Sequence, residues 1–485
     1  IAHVVTSDRT DESLDRSSRT AYVVTKSEML RYGYRSVADA IAALPGVNLV
    51  RYGSTGSAAS FGIRGSSSSQ VLVLVDGVPA GGAQINNLDL DSISTTGVER
   101  IEVVEGGGST LYGAGSIGGI VNIITSPIAG KPIVKAFDGS FATNGLSVES
   151  RNFSFSRTLA RNDFGVPNDG TRPNSDSEQT VARFALDRRI GALDATLSAG
   201  IGDHHLGVPG PDGFISTTAR EDTLDKDARL GLTRTTARTV TTLELGGTQQ
   251  TFAYTCDTPV DPGCPNYPFT AGAPVPPFYA QLLAEGLLEA SLTHVVTGER
   301  TRTIYGIDLM RGVARVDDGS NPLQAHAFAR AAAYAQQNWI AQTGSRLYAG
   351  LRAERDGAQG GALSPSIGGT LRLLPRLSLK ANAAGAFRAP TASDLYYPGF
   401  SNPRLQDERT RVADLSLVDA AVLGGATLTW FSTSGRNLIV LDQNYVPQNV
   451  GHASIAGLTF AVRTVPLHGY YAKLNVTNLY RAQDL

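Results

Sequence analysis

The sequence lacks a hydrophobic run long enough to form a membrane helix. No window approaches the ~18–20 consecutive apolar residues that such a helix needs, and the mean hydropathy is -0.08. Two cysteines among 485 residues exclude a disulfide-dense scaffold and a cysteine-based zinc module. Because 42 Lys and Arg residues face 44 Asp and Glu residues, no basic excess indicates a nucleic-acid partner. A β-barrel remains open, since its strands alternate apolar and polar residues and their hydropathy averages out.

The first quarter of the chain has the pattern of a compact α/β unit. Residues 36–39 have the spacing of a capping box and predict a helix through Leu44, which the following Pro-Gly pair ends. Three apolar segments predict strands: residues 71–75, 98–104 and 120–125.

After Pro127 the hydropathy alternates with a period of two. Residues 193–199 are apolar at odd positions and polar at even ones, and about 14–16 segments of this kind follow Ile133 on a template of ~10 residues per strand. Long polar stretches separate them at residues 161–177, 204–222, 256–277 and 317–321. Short turns on one side and long loops on the other are typical of an outer-membrane barrel, although a soluble β-sandwich or β-helix shares the alternation.

The two cysteines lie in one loop. Cys256 and Cys264 flank a segment rich in Pro, Asp and Gly. A disulfide that closes a surface loop in an oxidising compartment is one interpretation, and a pair of free thiols is the other.

Several short motifs occur in a recognisable order. In the first quarter they are residues 4–6 (VVT), 38–47 (ADAIAALPGV), 62–65 (GIRG), 73–79 (VLVDGVP), 99–103 (ERIEV) and 111–125 (LYGAGSIGGIVNIIT). Later in the chain they are residues 387–396 (FRAPTASDLY), 402–405 (NPRL), and 449–458 (NVGHASIAGL). The order and spacing of these motifs resemble those of TonB-dependent outer-membrane receptors over the whole chain. The resemblance is greatest to the cobalamin-transporter branch.

The resemblance implies the fold and the domains. It implies an all-β outer-membrane β-barrel of the 22-stranded type with an N-terminal α/β plug domain inside the lumen. Residues 1–9 are then the TonB box, residues 10–127 the plug and residues 128–485 the transmembrane barrel. Since 14–16 strands are fewer than 22, we expect the barrel to be incomplete at its C-terminus. The implied location is the outer membrane of a Gram-negative bacterium, in contact with lipid.

The TonB box has a physical rationale beside the resemblance. Its candidate TonB-binding residues are His3, Val4, Val5, Thr6 and Ser7. A short β-prone segment can add as a strand to the sheet edge of a partner. A frayed chain terminus is the alternative reading of the same residues.

The charges of the plug predict ion pairs with the barrel. The candidates are Arg64, Glu99, Arg100 and Glu102, although solvated or locally paired charges explain them equally well. The chain departs from the family at Glu105, where relatives carry a basic residue followed by Gly-Pro. Because Glu105 is acidic, any salt bridge that the basic residue makes in the relatives is in doubt for this chain.

Two plug loops and one barrel loop are the candidate substrate contacts. In the plug loops, small polar and amide side chains are expected under the substrate: Tyr52, Ser54, Thr55, Ser57, Gln84, Asn86 and Asn87. In the barrel loop the candidates are aromatic, namely Tyr396, Tyr397 and Phe400. Aromatic rings suit a large, partly apolar chelate, but an aromatic girdle at the membrane interface gives the same pattern.

The expected function is TonB-dependent import of a scarce metal chelate or corrinoid, either cobalamin-like or a ferric siderophore. Haem is disfavoured because residues 391–401 contain no histidine, and oligosaccharide is a further alternative substrate. A receptor for signalling or adhesion and a passive channel are the rival functions. No catalytic motif or cofactor fingerprint is found, so no enzyme activity and no resident cofactor are expected.

The expected partners follow from the same resemblance. They are TonB with its inner-membrane energising complex and the small-molecule substrate, and the chain is expected to be monomeric. A surface lipoprotein partner stays open. The metal ligands are unknown: scattered aspartates at 203, 212, 222, 225 and 227 leave Ca²⁺ in the loops open, and the adjacent His204 and His205 are more typical of solvated side chains.

Overall fold

The computed structural model describes residues 3–9, 12–53, 56–85, 88–125, 131–162, 165–166, 170–210, 215–257, 261, 279–317, 324–357, 360–420, 425–464, 470 and 472–484. None of the described helices is long and apolar enough to span a membrane. The chain divides into an N-terminal α/β domain and a long series of antiparallel strands.

The N-terminal domain consists of short strands and short helices. They are β1 (His3–Val4), β2 (Glu12–Ser13), β3 (Ala21–Thr25), α1 (Lys26–Tyr32), α2 (Val37–Ala42), β4 (Val47–Arg51), β5 (Ala59–Ile63), β6 (Val71–Val75), β7 (Val78–Pro79), β8 (Val98–Glu105), α3 (Ser109–Tyr112) and β9 (Gly119–Thr125). Five of them form a mixed sheet with the order β3-β8-β9-β6-β7, in which β6 and β9 are parallel.

The sequence patterns of this domain predicted its elements closely. The capping box of α2 is present, with Ser36 accepting from the backbone of Asp39, and the helix ends at Ala42, two residues before the predicted end. All three predicted strands are present as β6, β8 and β9. Buried side chains from both helices and the sheet, such as Met29, Ile41 and Ile101, form one hydrophobic core.

The second part of the chain contains the strands of the large sheet and one short helix. These elements are β10 (Ile133–Gly139), β11 (Thr143–Glu149), β12 (Phe153–Ala160), β13 (Gly165–Val166), β14 (Gly170–Thr171), β15 (Ser177–Ile190), β16 (Leu193–Gly207), β17 (Arg220–Thr235), β18 (Thr239–Cys256), β19 (Tyr279–Thr297), β20 (Thr301–Asp317), β21 (Gln324–Ile340), β22 (Arg346–Asp356), β23 (Gly360–Arg372), β24 (Leu377–Arg388), α4 (Ala392–Tyr396), β25 (Glu408–Asp419), β26 (Ala426–Leu441), β27 (Pro447–Arg463) and β28 (Lys473–Asp484).

The large sheet contains 17 strands, each paired with its neighbours in chain order apart from the small hairpin β13–β14. The predicted count of 14–16 was slightly low because β10, β11 and β12 have only 7 or 8 residues, fewer than the ~10 of the template. The longest connections, which follow β12, β16, β18 and β24, lie at one end of the sheet, which we call the upper end. Most connections at the other end, the lower end, are short.

The strands alternate between two environments. On β23, Ser364 and Ser366 are buried, whereas Leu363 and Ile367 are more than half exposed. The N-terminal domain contacts the inward-facing residues along the sheet, for example through Thr110, whose hydroxyl donates to the Ser364 carbonyl at 3.0 Å. The sheet therefore curves around this domain and turns its apolar side chains outward, as a barrel in lipid does.

Candidate functional site

The N-terminal segment lies against the plug instead of extending away from it. Strand β1 pairs with β2, and Val4, Thr6 and Ser7 are completely buried. The backbone amides of Val5 and Thr6 donate to one carboxylate oxygen of Glu102 at 2.9 and 2.8 Å. The Thr6 hydroxyl donates to the same oxygen at 2.6 Å. The candidate TonB box is thus docked on the plug sheet by hydrogen bonds that any release of the segment has to break.

A largely buried arginine at the end of the candidate box ties the same segment to the barrel wall. Arg9 makes a bidentate ion pair with Asp308 on β20, with N–O distances of 3.0 and 3.1 Å. Its guanidinium also lies over the rings of Tyr112 and Tyr334, 4.7 and 4.6 Å from their centroids. Such charge-assisted, bidentate contacts are strong and directional. The sequence reading missed Arg9, because a partner 299 residues away leaves no local signal.

Further polar contacts extend this attachment. Glu12 pairs with Arg346 at 2.8 Å, and the Gln336 amide donates to Asp8 at 2.8 Å. Burial raises the pKa of Glu12 above its usual value. We refer to residues 3–9 and Glu12, together with these partners, as the lower face of the plug.

Three of the four charges predicted to pair with the barrel pair within the plug instead. Glu99, Arg100 and Glu102 pair within the plug: Arg100 lies 3.2 Å from Glu99 and 2.7 Å from Glu102. Arg100 and Glu102 lie two residues apart on β8 and therefore share one face of the strand. These three charges are therefore paired locally, which is one of the alternatives that the sequence left open.

Arg64 combines both kinds of contact. It lies 2.6 Å from Glu105 inside the plug and 3.6 Å from Asp414 on β25 of the barrel. Burial raises the pKa of the Glu105 carboxyl to about 7, with Arg64 opposing that shift. The acidic residue that departs from the family pattern therefore supplies an internal partner for Arg64.

The opposite, upper face of the plug carries the candidate substrate residues. Tyr52 is 72% exposed, and its amide donates to the Ala58 carbonyl at 3.1 Å, so its loop presents an accessible ring. The backbone amide of Gln84 donates to the Glu285 carboxylate on β19 at 2.7 Å. The backbone carbonyl of Gln84 accepts from the backbone amide of Ser393 in α4 at 3.1 Å. Ser57 lies in the same loop as Tyr52, among the residues that the structure describes. Ser54, Thr55, Asn86 and Asn87 lie outside the described residues.

An aromatic cluster covers the second plug loop. Tyr396 stacks on His326 of β21 with 3.8 Å between ring centroids and 5° between planes, and Tyr397 lies 6.2 Å from Phe400. Around the buried Ile85 of the plug, inward-facing rings complete the group, which we call the aromatic cluster: Phe252, Tyr254, Phe328, Tyr396 and Tyr397. Tyr396 and Tyr397 thus pack against plug and lumen residues, whereas a membrane girdle faces lipid.

A cavity joins the two faces. It has a volume of about 420 Å³ and lies between the plug and strands β19–β22, β24 and β26. Arg9 and Tyr112 line it towards the lower face, and Gln84 and Thr391 line it towards the upper face. Two arginines that line it are already paired with carboxylates: Arg330 lies 2.8 Å from Asp356, and Arg388 lies 2.9 Å from Glu408.

Metal ligation remains a prediction. Among the described residues, no three His, Cys, Asp or Glu side chains group as a metal site. His204 is buried, whereas His205 pairs with Asp203 and Asp222, so the two histidines point to opposite sides of β16. Most of the loop between β18 and β19, at 258–260 and 262–278, lies outside the described residues.

Cys256 is buried and disulfide-bonded. Cys264 lies outside the described residues, so the geometry of the predicted pair is not described.

Comparison with known families matches both parts of the chain. The model of the TonB-dependent receptor plug domain matches residues 13–120, and the model of the TonB-dependent receptor-like β-barrel matches residues 136–484. The chain belongs to the TonB-dependent receptors. Proteins of this family are transporters and receptors of the Gram-negative outer membrane that work with TonB and bind chelates or corrinoids.

Relatives of known function place the chain near vitamin B12 transporters. It is 24% identical to the vitamin B12 transporter BtuB of Photobacterium profundum over 94% of this chain and 74% of that protein. A second BtuB, from Vibrio vulnificus, is 34% identical over 164 residues, which are 32% of this chain and 25% of that protein.

Solved structures share the fold. A mutant of the ferric enterobactin receptor PfeA from Pseudomonas aeruginosa superposes with a TM-score of 0.75 at 18% identity, covering 95% of this chain and 80% of that chain. The copper transporter OprC gives a TM-score of 0.80 at 15% identity, covering 96% and 80%. At such low identities these likenesses speak for the fold alone.

Proposed function

We propose that this TonB-dependent receptor imports a scarce metal chelate or a corrinoid across the outer membrane of a Gram-negative bacterium. Ligand binds on the upper face, against the aromatic cluster and the plug loops. The TonB box then leaves the lower face and pairs as a strand with TonB, which supplies the energy. The observation that carries the proposal is the docked box, because a transporter driven from the periplasm needs a segment that can be held and released.

The upper face favours a ligand with a flat, partly apolar surface. Five aromatic rings belong to the same hydrophobic cluster as Ile85 there, and aromatic side chains bind such surfaces through their faces. A polyanionic ligand needs available cations, but Arg330 and Arg388 are each engaged by carboxylates. The chemistry therefore supports a corrinoid or a weakly charged chelate over a polyanionic catecholate complex.

Haem is the second candidate, on one observation. Residues 391–401 contain no histidine, but His326 stacks directly on Tyr396. The loop therefore has an imidazole beside it after all, supplied by strand β21. Imidazole is a ligand of haem iron in many proteins.

Uptake by whole cells tests the proposal. Cells that lack their own receptors receive either the full chain or a variant without residues 4–6, and accumulation of labelled cyanocobalamin, ferric siderophores and haem is measured. We expect one of these ligands to accumulate with the full chain and the deletion to abolish uptake while surface binding persists. Unchanged entry after the deletion indicates a passive channel, and binding without any uptake indicates a signalling or adhesion receptor.

A further inference from the structure

We propose that Asn122 couples the upper face to the TonB box, as a positioning residue that acts through Gly77 and Thr6. The inference rests on the proposed function, since coupling matters only if the box responds to events on the upper face. It follows from one side chain that hydrogen-bonds both to the turn between β6 and β7 and to the TonB box.

Asn122 bridges two segments that have no other described bond to each other. It lies on β9 directly across from Glu102 on β8 and is almost completely buried. Its side-chain oxygen accepts from the Gly77 amide at 3.1 Å, and its side-chain nitrogen donates to the Thr6 hydroxyl at 3.1 Å. Thr6 in turn donates to Glu102, so Asn122 and Glu102 hold the box together.

Gly77 belongs to the tight turn between β6 and β7. Asp76 and Gly77 have φ angles of +50° and +87°, and Val75 pairs with Val78 across them. Positive φ at both central residues is typical of a two-residue hairpin turn of type I′. Such a turn has little freedom, so a displacement of β7 moves the Gly77 amide.

Asp76 fixes the other side of this turn. Its carboxylate accepts from the Thr125 amide at 2.7 Å and from the Ser198 hydroxyl of the barrel at 3.1 Å. The Asp76 amide donates to the Ile123 carbonyl at 2.9 Å. Because β6 is anchored in this way, movement of β7 has to be taken up at Gly77, next to Asn122.

Strand β7 leads directly to the ligand side. It has only two residues and pairs with β6 alone, so its local stability is low. The loop that follows is held at Gln84 by Glu285 and by the Ser393 amide, and Ile85 packs in the aromatic cluster. A ligand that displaces the rings therefore pulls on β7 through the short loop that begins after Pro79.

The consequence is a reciprocal coupling. Displacement of the upper loop weakens the Asn122–Thr6 bond and favours the released box, and release of the box loosens the β6–β7 turn by the same factor. Typical coupling factors of this kind are about 5- to 150-fold.

The test needs no ligand, because the upper loop is released by substitution. In the full-length protein in detergent, Val4→Cys places a thiol at a completely buried box position, and its labelling rate by a maleimide reports undocking. Glu285→Ala removes the acceptor of the Gln84 amide. The matched control is Asp176→Ala, which removes a carboxylate at the upper end of the barrel that pairs with Arg220 at 2.7 Å.

We expect Glu285→Ala to raise the labelling rate at least ~5-fold and Asp176→Ala to leave it unchanged. In an Asn122→Ala background, we expect the labelling rate to be higher from the start and Glu285→Ala to cause no further increase. An equal increase with and without Asn122, or no increase in either background, contradicts the proposal.

Two further variants separate coupling from general loosening or misfolding. Glu102→Gln weakens the docking of the box but keeps the Asn122–Thr6 bond, so the baseline rises and the response to Glu285→Ala remains. Thr6→Val leaves the plug sheet intact and removes the response. Loss of the response in Glu102→Gln, or its persistence in Thr6→Val, also contradicts the role of Asn122. Failure of every ligand in the uptake assay bears on the proposed function and leaves these results standing.

Discussion

The lower face of the plug is held by charged and polar hydrogen bonds, whereas the upper face is held largely by packed aromatic rings. The lower contacts converge on a few atoms, such as the Glu102 carboxylate oxygen that accepts three hydrogen bonds. The upper contacts are spread over the faces of several rings. Directional bonds break as a unit when a segment is pulled, while ring packing adapts to the shape of a ligand. Under the proposed function, release of the box and recognition of the ligand therefore depend on different kinds of contact.

The largest effect is expected from removal of the Arg9 cation at the lower face. Arg9→Met keeps much of the side-chain volume but removes the bidentate bond to Asp308, which retains Arg352 at 2.6 Å as a partner. We expect the box to undock more often and a purified TonB periplasmic domain to bind about 10- to 100-fold more tightly without ligand, since hydrogen bonds to charged groups contribute about 1.5–3 kcal/mol. Calorimetric titration measures this affinity. An unchanged affinity contradicts the role given to Arg9.

A pH series tests the buried carboxyl group of Glu105. Burial raises the pKa of Glu105 from 4.5 to about 7, so the folded plug binds this proton more tightly than the unfolded chain does. The resulting stabilisation is fully present below pH 4.5 and is lost as the pH rises through about 7. The melting temperature of the plug, followed by calorimetry in detergent, should fall across this window. Glu105→Gln should flatten the profile, and an unaltered slope in that variant argues against Glu105 as the titrating group.

A smaller effect is expected on the upper face. Tyr396→Ala removes the ring that stacks on His326, and the affinity for the imported ligand should drop by ~1.5 kcal/mol, roughly tenfold. Tyr396→Phe keeps the ring and should bind nearly as well as the native chain. Equilibrium titration of the ligand found in the uptake assay measures both variants. Equal losses in the two variants point to the hydroxyl instead of the stacked ring.

The smallest effect is expected at an outlying plug–barrel contact. Lys473 lies 3.5 Å from Glu28, and both side chains are partly exposed. Exposed ion pairs contribute only about 0–1 kcal/mol. Lys473→Gln should therefore leave the melting temperature and the affinity for TonB nearly unchanged, and a large change in either shows that the attachment of the plug is less concentrated at Arg9 than the comparison holds.

Local patterns predicted the elements well because their causes are local. The capping box at Ser36 and Asp39 and the apolar run of β6 both depend on neighbours in sequence. The pairing of Arg100 with Glu102 was accessible too, since residues two apart on a strand share a face. The family motifs supplied the barrel and the plug, which periodicity alone left open against a soluble β-sandwich.

Contacts across the lumen could not be predicted from one sequence. Arg9 meets Asp308, and Tyr396 meets His326, only because the sheet curves around the plug. The alternation of a strand shows which residues share a face but does not show which face is inward. For Tyr396 and Tyr397 this ambiguity left the lumen and the membrane girdle equally open until the fold placed both beside Ile85.

The most direct test of energised import is the affinity of the TonB periplasmic domain for the receptor with and without its bound ligand. Both states are measured on the native chain and on the variant without residues 4–6. Release of a docked box predicts that ligand tightens TonB binding at least ~5-fold in the native chain and that the deletion removes this binding. Equal affinity in the presence and absence of ligand, or TonB binding that survives the deletion, contradicts the account.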